Sequence, residues 1–140
     1  MSTYKQTIFV SLPVTDLSKS IVFYQAIGFT QNLKFSDEGV AWMGWSETFS
    51  VMLISHSKWQ LFTERKIPDA KKTAQFALIV SRENKAAVDS MVENGAKAGG
   101  KADPNPAEDC GFMYGRSLED PDGHILEAKW MDMSAIMPPA

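Results

Sequence analysis

The chain has 140 residues, of which 44% are hydrophobic and 22% charged, a composition typical of an ordinary globular domain. Its 17 Asp and Glu residues outnumber 14 Lys and Arg residues, which argues against nucleic acid or an anionic membrane surface as a partner. The single cysteine, Cys110, can form no disulfide within the chain and suits a reducing compartment. The longest apolar run, residues 76–80, is too short to span a membrane, and the N-terminal residues resemble no signal peptide. We therefore expect a cytoplasmic protein without a membrane partner.

The first half of the chain begins with a predicted strand and a predicted helix. Alternation of apolar residues indicates a strand whose buried face consists of Val10, Leu12 and Val14. Asp16 then predicts a helix N-cap and Gly28 a C-terminal stop. The predicted apolar stripe of this helix consists of Leu17, Ile21 and Tyr24. Three further strands are predicted at residues 30–36, 40–45 and 49–55.

The same order of elements recurs after a charged connector at residues 56–72, in which we expect one short helix. At an offset of 66 residues the first-strand trio aligns with Phe76, Leu78 and Val80, which predicts an equivalent strand. Ser81 predicts the N-cap of a second helix, and Gly95 lies past its expected end. Strands are predicted at residues 112–118 and 125–130, around a turn at residues 120–123, with a missing strand near residues 97–103. The glycines and prolines of residues 95–109 indicate a mobile loop.

These patterns predict an α+β fold of two tandem β-α-β-β-β modules, at about residues 7–55 and 73–130, joined by a linker at 56–72. We predict a single domain over residues 1–140, because neither module alone can bury its sheet face. Pairing the modules would form a curved mixed sheet around a funnel-shaped cleft, the expected ligand site. The C-terminal tail, residues 131–140, carries Met131, Met133, Ile136 and Met137 and is apolar enough to cover a neighbouring surface.

Two stretches of the sequence carry a family resemblance. They are residues 8–20, IFVSLPVTDLSKS, which lead into Phe23-Tyr24 and Gly28-Phe29, and residues 120–127, DPDGHILE. Together they resemble the vicinal oxygen chelate superfamily, which includes glyoxalase I, bleomycin-resistance proteins, extradiol dioxygenases and fosfomycin-resistance enzymes. The resemblance implies the same duplicated layout, a homodimer and, in the enzymatic members, a divalent metal held by one side chain from each of four strands. The implied ligand positions in this chain are Phe9, Met52, Gln75 and Glu127.

Two of these four positions lack a suitable donor. The ring of Phe9 and the thioether of Met52 offer neither the nitrogen nor the oxygen that these metals prefer, and Gln75 with Glu127 alone would hold an ion weakly. We therefore expect no cofactor. The alternative is a divalent ion (zinc, nickel, iron or manganese) bound by Gln75, Glu127 and His56. Glu127 has a further alternative, a structural ion pair with Lys129 on the same strand face.

The sequence thus predicts a glyoxalase/bleomycin-resistance/dioxygenase-like protein of unassigned activity that binds a small, partly apolar ligand. The candidate ligand-binding residues are Phe9, Ser11, Met52, Gln75, Tyr114 and Arg116. Aromatic rings and methionine favour apolar molecules, and the guanidinium of Arg116 suits an anionic or carbonyl group. The alternative function is a metal-dependent lyase or isomerase similar to glyoxalase I, or a dioxygenase, with Glu127 as the catalytic residue. A third alternative is an interaction module whose funnel is closed by side chains.

Overall fold

A computed structural model describes residues 3–136 of the chain. They form two compact units: residues up to Pro68 belong to unit 1, and residues from Asp69 onwards belong to unit 2. The boundary lies inside the predicted connector. Each unit contains a mixed β-sheet with a helix packed on one face, which confirms the predicted α+β class and the two-module layout. Within residues 3–136, no helix is long and apolar enough to cross a membrane.

Unit 1 contains four strands and two helices. They are β1 (Ile8–Val14), α1 (Leu17–Ala26), β2 (Thr30–Asn32), β3 (Val40–Gly44), β4 (Phe49–Ser55) and α2 (His56–Trp59). The strand order is β1-β4-β3-β2. β1 is parallel to β4, whereas the β4–β3 and β3–β2 pairs are antiparallel. The predicted strand at residues 30–36 ends early, because the side chain of Asn32 accepts a hydrogen bond from the Lys34 amide and residues 33–35 form a 3₁₀ turn.

The ends of α1 follow the prediction, whereas its buried face agrees with the predicted stripe only at Tyr24. The Asp16 carboxylate accepts a hydrogen bond from the Lys19 amide at 3.1 Å, and Gly28 follows the helix with φ +111°, a value that favours glycine. Leu17 and Ile21 are only half-buried. The buried face consists of Ser20, Phe23 and Tyr24, followed by Ile27 after the helix. The helix is rotated so that its two aromatic rings, the largest apolar surfaces available, enter the core.

The pleat of β1 separates the core of unit 1 from a free sheet face. Leu12 and Val14 are buried, as predicted, whereas Val10, the third residue of the predicted face, is only half-buried. Alternate residues, and their register partners on β4, β3 and β2, lie on the opposite face. We call this the open face of unit 1. Its residues are Phe9, Ser11, Pro13, Thr30, Asn32, Val40, Trp42, Gly44, Ser50, Met52 and Ile54.

Unit 2 repeats this topology. Its elements are β5 (Ala77–Ser81), α3 (Lys85–Lys97), β6 (Lys101–Ala102), β7 (Glu108–Asp109), β8 (Met113–Glu119), β9 (Ile125–Met131) and α4 (Met133–Ile136). The strand order is β5-β9-β8-β6, and β7 also pairs with β8. β5 is parallel to β9, as β1 is to β4. Of the predicted tail, Met137 and the residues after it lie outside the described part of the chain.

Several details of unit 2 differ from the sequence-based expectation. Ser81 is the last residue of β5, and the N-cap of α3 is instead Asn84, whose side chain accepts a hydrogen bond from the Ala87 amide at 2.8 Å. Gly95 is buried within α3, and the glycine with positive φ beyond the helix end is Gly99. The missing strand is β6, inside the predicted range. β7 was not predicted, because we expected a loop in its place.

Candidate functional site

The open face of unit 1 carries a cavity of about 490 Å³, here called the apolar cavity. Its floor comes from β1, β3 and β4. Its wall comes from α2 and the residues that follow this helix. The lining residues are Ser11, Val40, Met52, Ile54, Trp59, Phe62 and Thr63. Five of these seven side chains are apolar or aromatic, so the cavity suits the body of a small apolar molecule.

Local sequence signals explain how this cavity forms. Ser11 and Met52 are register partners on neighbouring strands, so their side chains lie side by side on the open face. The hydroxyl of Ser55 accepts a hydrogen bond from the Lys58 amide at 3.3 Å, which starts α2 immediately after β4. This early helix turns the chain back over the sheet, where Trp59 and Phe62 reach the cavity. Trp59 and Phe62 are therefore the aromatic residues of the connector that line the cavity.

Trp42 occupies the centre of the open face, next to Met52 in the register. Its ring contacts Phe9 edge-on at 5.2 Å between centroids and Phe35 at 5.4 Å. The indole Nε1–H donates a hydrogen bond to Ser50 Oγ at 2.9 Å. These contacts fix the orientation of the indole. Phe9 is 49% exposed, but its ring packs in one aromatic cluster with Trp42 and Phe35.

A second cavity, of about 510 Å³, lies on the other side of Trp42 and is here called the polar cavity. It extends across β2 and β3 to the turn between β3 and β4. Most of its lining side chains carry hydroxyl, amide or carboxylate groups. The lining residues are Thr30, Gln31, Asn32, Leu33, Trp42, Gly44, Ser46, Glu47 and Ser50.

In unit 2, Tyr114 and Arg116 point towards α3. The Nε and Nη2 atoms of Arg116 donate to both carboxylate oxygens of Asp103, at 3.0 and 2.7 Å. Its Nη1 donates to Asp89 at 3.0 Å and to Glu93 at 3.1 Å, and the Tyr114 hydroxyl donates to the same Asp89 oxygen at 2.7 Å. We call these five residues the Arg116 cluster. It ties β8 to α3 and to the segment after β6.

The electrostatics of the Arg116 cluster favour the charged forms of Asp89, Asp103 and Arg116 and the protonated form of the Tyr114 phenol. The hydrogen bond from Tyr114, with help from the Arg116 guanidinium, lowers the pKa of Asp89. The hydrogen bonds from Arg116 lower the pKa of Asp103. In return, Asp89 raises the pKa of the Tyr114 phenol, and Asp103 above all raises the pKa of Arg116. The guanidinium is therefore engaged with three carboxylates of its own unit.

Glu127 lies on the other face of the unit 2 sheet. Its register partners are Ser117 on β8 and Ile79 on β5, while Arg116 is paired with Ala128. Alternation along the strands thus separates Glu127 from Tyr114 and Arg116. Lys129 lies on the same face as Glu127, as predicted. The fold does not gather the candidate residues of unit 2 into one site.

The other two candidate metal ligands with polar side chains, Gln75 and His56, do not lie on strands. Gln75 is exposed in a bend before β5, so the expectation that it lies on a strand is wrong. The physical reason is that β5 is paired with β9 only from Ala77 onwards. His56 is half-buried as the first residue of α2. Within the described residues, no group of three or more His, Cys, Asp or Glu side chains is arranged to hold a metal ion, and the apolar groups of Phe9 and Met52 do not fit the donor set of the family.

Sequence reasoning missed the polar cavity and the acidic partners of Arg116. Alternation on β3 would have placed Trp42 on the face opposite the buried Ala41 and Met43. Asp89 and Glu93 are four residues apart and therefore share one face of α3. No sequence signal indicates that Asp103 takes φ +54° and meets the same guanidinium.

Comparisons with known proteins agree with this description. The family model of the Glyoxalase/Bleomycin resistance protein/Dioxygenase superfamily matches residues 7–128. Similar solved structures include a hypothetical protein from S. aureus, at 23% identity and TM-score 0.75, covering 91% of this chain and 94% of that chain. A glyoxalase-related enzyme from Fulvimarina pelagi matches at 21% identity and TM-score 0.75, covering 91% and 88%.

A fosfomycin resistance protein from Listeria monocytogenes matches at 17% identity and TM-score 0.61, covering 93% of this chain and 91% of that chain. At such identities the structural likeness shows the fold alone. No curated protein gives a significant sequence match.

Proposed function

The chain belongs to the glyoxalase/bleomycin resistance protein/dioxygenase superfamily, and on that premise we propose that it binds a small, partly apolar ligand in the apolar cavity of unit 1. The observation that carries the proposal is the lining of this cavity, where Met52, Trp59 and Phe62 face a space of about 490 Å³. This volume lies in the range of small-molecule sites, which are lined mainly by apolar side chains with a few polar groups. The hydroxyls of Ser11 and Thr63 are the polar groups that would orient the ligand.

The proposed binding mode needs no metal. Its support is the chemistry of the side chains at the implied ligand positions of unit 1, Phe9 and Met52, which offer an aromatic ring and a thioether. Both contribute instead to the apolar character of the open face. The ligand-binding roles predicted for Gln75, Tyr114 and Arg116 stay predictions outside this proposal.

The proposal includes a homodimer in the cytoplasm. The homodimer is supported by the family resemblance, and the compartment by an exposed lone thiol, Cys110, which suits a reducing environment. Light scattering coupled to size-exclusion chromatography checks the first point by the mass of the particle in solution. Localisation of a fluorescent fusion checks the second.

Nile red, an uncharged dye whose emission rises in apolar surroundings, tests the cavity directly. We expect saturable binding to the wild-type protein and at least about tenfold weaker binding to Met52→Trp. The reason is that the introduced indole ring is larger than the methionine side chain and fills the apolar cavity. Ile79→Trp is the matched control, since Ile79 also lies on the free face of a sheet strand, in unit 2, and is 55% exposed. Equal loss of binding in both variants, or in neither, would contradict the proposal.

A metal titration tests the alternative function. Melting temperatures of the wild-type protein and of Glu127→Ala are compared with and without Zn²⁺, Ni²⁺, Mn²⁺ and Fe²⁺. We expect no metal-dependent difference between the two proteins. An increase in the wild-type melting temperature that Glu127→Ala abolishes would contradict the metal-free binder and favour the metal-dependent alternative.

A further inference from the structure

We propose that the polar cavity is a second subsite on the open face of unit 1, which selects amphiphilic ligands with an uncharged, hydroxyl-bearing head. The apolar body of such a ligand lies in the apolar cavity, and its head lies beyond Trp42 in the polar cavity. This inference rests on the proposed function and adds the class of ligand. Three observations support it: the register of the unit 1 sheet, Gly44 on β3, and the charges of the side chains that line the polar cavity.

The register places the two cavities next to each other on one face. Ser11, Met52, Trp42 and Asn32 form one continuous row of partners across β1, β4, β3 and β2. Ser11 and Met52 line the apolar cavity, while Trp42 and Asn32 line the polar cavity. Adjacent strands lie about 4.8 Å apart, so the row is about 14 Å long, and a molecule of three linked rings is long enough to contact both ends.

Gly44 opens the floor of the polar cavity. It lies between Thr30 and Ser50 in the register, and both of these partners line the cavity. A Cβ atom on Gly44 would meet only the Thr30 carbonyl oxygen at 3.6 Å and Ser50 Oγ at 3.9 Å, which are ordinary contact distances. The strand therefore has no steric need for glycine here. The missing side chain leaves space above the sheet where a ligand can approach.

The lining of the polar cavity supplies donors and acceptors together. Ser50 Oγ accepts from Trp42 Nε1 and keeps its own O–H as a donor. Asn32 accepts from the Lys34 amide through Oδ1 and keeps its amide N–H groups as donors. The Thr30 hydroxyl and the Gln31 amide in the same lining offer acceptor oxygens. Hydroxyl groups of a ligand can therefore pair with both kinds of partner, and the indole of Trp42 offers an apolar surface beside them.

The charges of the lining disfavour ionised heads. Glu47 is the one charged residue among the described residues that line the polar cavity, and its carboxylate forms an ion pair with Lys5. The lining offers a phosphate or carboxylate head no cationic side chain to replace its hydration. A cationic head would compete with Lys5 for an exposed, solvent-screened group. An uncharged head avoids both costs.

Three naphthyl compounds test the inference by isothermal titration calorimetry. They share one apolar body and differ in the head: 2-naphthyl β-D-glucopyranoside, 2-naphthyl phosphate and 2-naphthol. We expect the glucoside to bind at least about tenfold more tightly than the phosphate. Gly44→Val should weaken glucoside binding at least about fivefold and change 2-naphthol binding less than about twofold, with Gly44→Ala in between.

The outcomes separate this inference from the proposed function. Loss of glucoside preference in Gly44→Val, with 2-naphthol binding still dependent on Met52, supports both. A glucoside that binds no better than the phosphate, or that is insensitive to Gly44→Val, overturns the second subsite and leaves the proposed function standing. Binding of 2-naphthol that Met52→Trp does not alter overturns both. If Gly44→Val fails to fold, as judged by circular dichroism, Gly44→Ala decides, because its Cβ makes only ordinary contacts.

Discussion

The two units share a strand order but use their sheet faces differently. In unit 1, β1 is paired with β4 at seven positions, and the free face carries aromatic and sulfur-containing side chains around two cavities. In unit 2, β5 is paired with β9 at only five positions, and the polar residues of β8 turn towards α3. One step along the pleat decides which face a side chain joins. Equal topology therefore does not imply equal chemistry.

The largest expected effect concerns the first strand of each unit. Leu12 and Leu78 are equivalent in the internal repeat, but Leu12 is 1% exposed and Leu78 is only half-buried. We expect Leu12→Ala to lower the free energy of unfolding by about 3 kcal/mol and Leu78→Ala by about 1 kcal/mol, because the better-packed site leaves the larger void. Urea denaturation followed by circular dichroism measures both.

The control for this pair is the slope of the denaturation curve. Unchanged slopes show that the two variants lose stability without a change in the surface exposed on unfolding. Equal losses of unfolding free energy for Leu12→Ala and Leu78→Ala would contradict the prediction. They would show that the two first strands contribute equally to stability although the two leucines differ in burial.

The second expected effect concerns the turn between the last two strands of unit 2. Gly123 has φ +100°, and a Cβ there would lie 2.6 Å from Lys71 Cγ and 2.7 Å from Lys71 N. Gly123→Ala should therefore lower the free energy of unfolding by about 2–3 kcal/mol, from backbone strain and steric overlap together. In unit 1, the turn between β3 and β4 contains no glycine, so we expect no equivalent site there.

Gly111→Ala is the matched control for Gly123→Ala. Gly111 also has positive φ, +83°, but a Cβ there would meet nothing within 4 Å. The control should lose only about 1 kcal/mol, the cost of the backbone conformation alone. Thermal unfolding of the two variants measures the difference. If Gly111→Ala is as unstable as Gly123→Ala, steric overlap with Lys71 contributes nothing to the loss of stability.

Much of the architecture was predictable because its signals are local. Alternation indicates β1, and capping indicates both ends of α1 through Asp16 and Gly28. The start of α3 was mispredicted because Ser81 and Asn84 are both good N-caps. Only the pairing of β5 with β9 as far as Ser81 decides between them.

The candidate site was less predictable because it depends on contacts between distant residues. Phe9, Ser11 and Met52 were found from strand alternation and the family resemblance, and the structure brings them onto one face. The cavity wall depends on where α2 turns the chain back, which no spacing rule gives. The partners of Arg116 are 13 to 27 residues away in sequence and require the packing of β8 against α3.

The smallest expected effect concerns the Arg116 cluster, which has no counterpart on the open face of unit 1. Arg116→Met should lower the free energy of unfolding by about 1–2 kcal/mol at neutral pH, since it removes charge-assisted hydrogen bonds to partly exposed carboxylates. The pKa values of Asp89 and Asp103 lie below the ordinary 3.8. Their stabilising contribution is therefore present above that pH and is lost as the pH falls below it.

The pH dependence distinguishes this cluster from a merely well-packed arginine. Without Arg116, the neighbouring carboxylates repel one another, so protonation relieves the variant while it destabilises the wild-type protein. The difference in stability between the two should shrink as the pH falls below about 4 in urea denaturation. Lys19→Met, which removes an exposed cation from α1 of unit 1, should show no such convergence. A difference between Arg116→Met and wild type that stays constant with pH would mean that Arg116 stabilises unit 2 through packing and not through its charge.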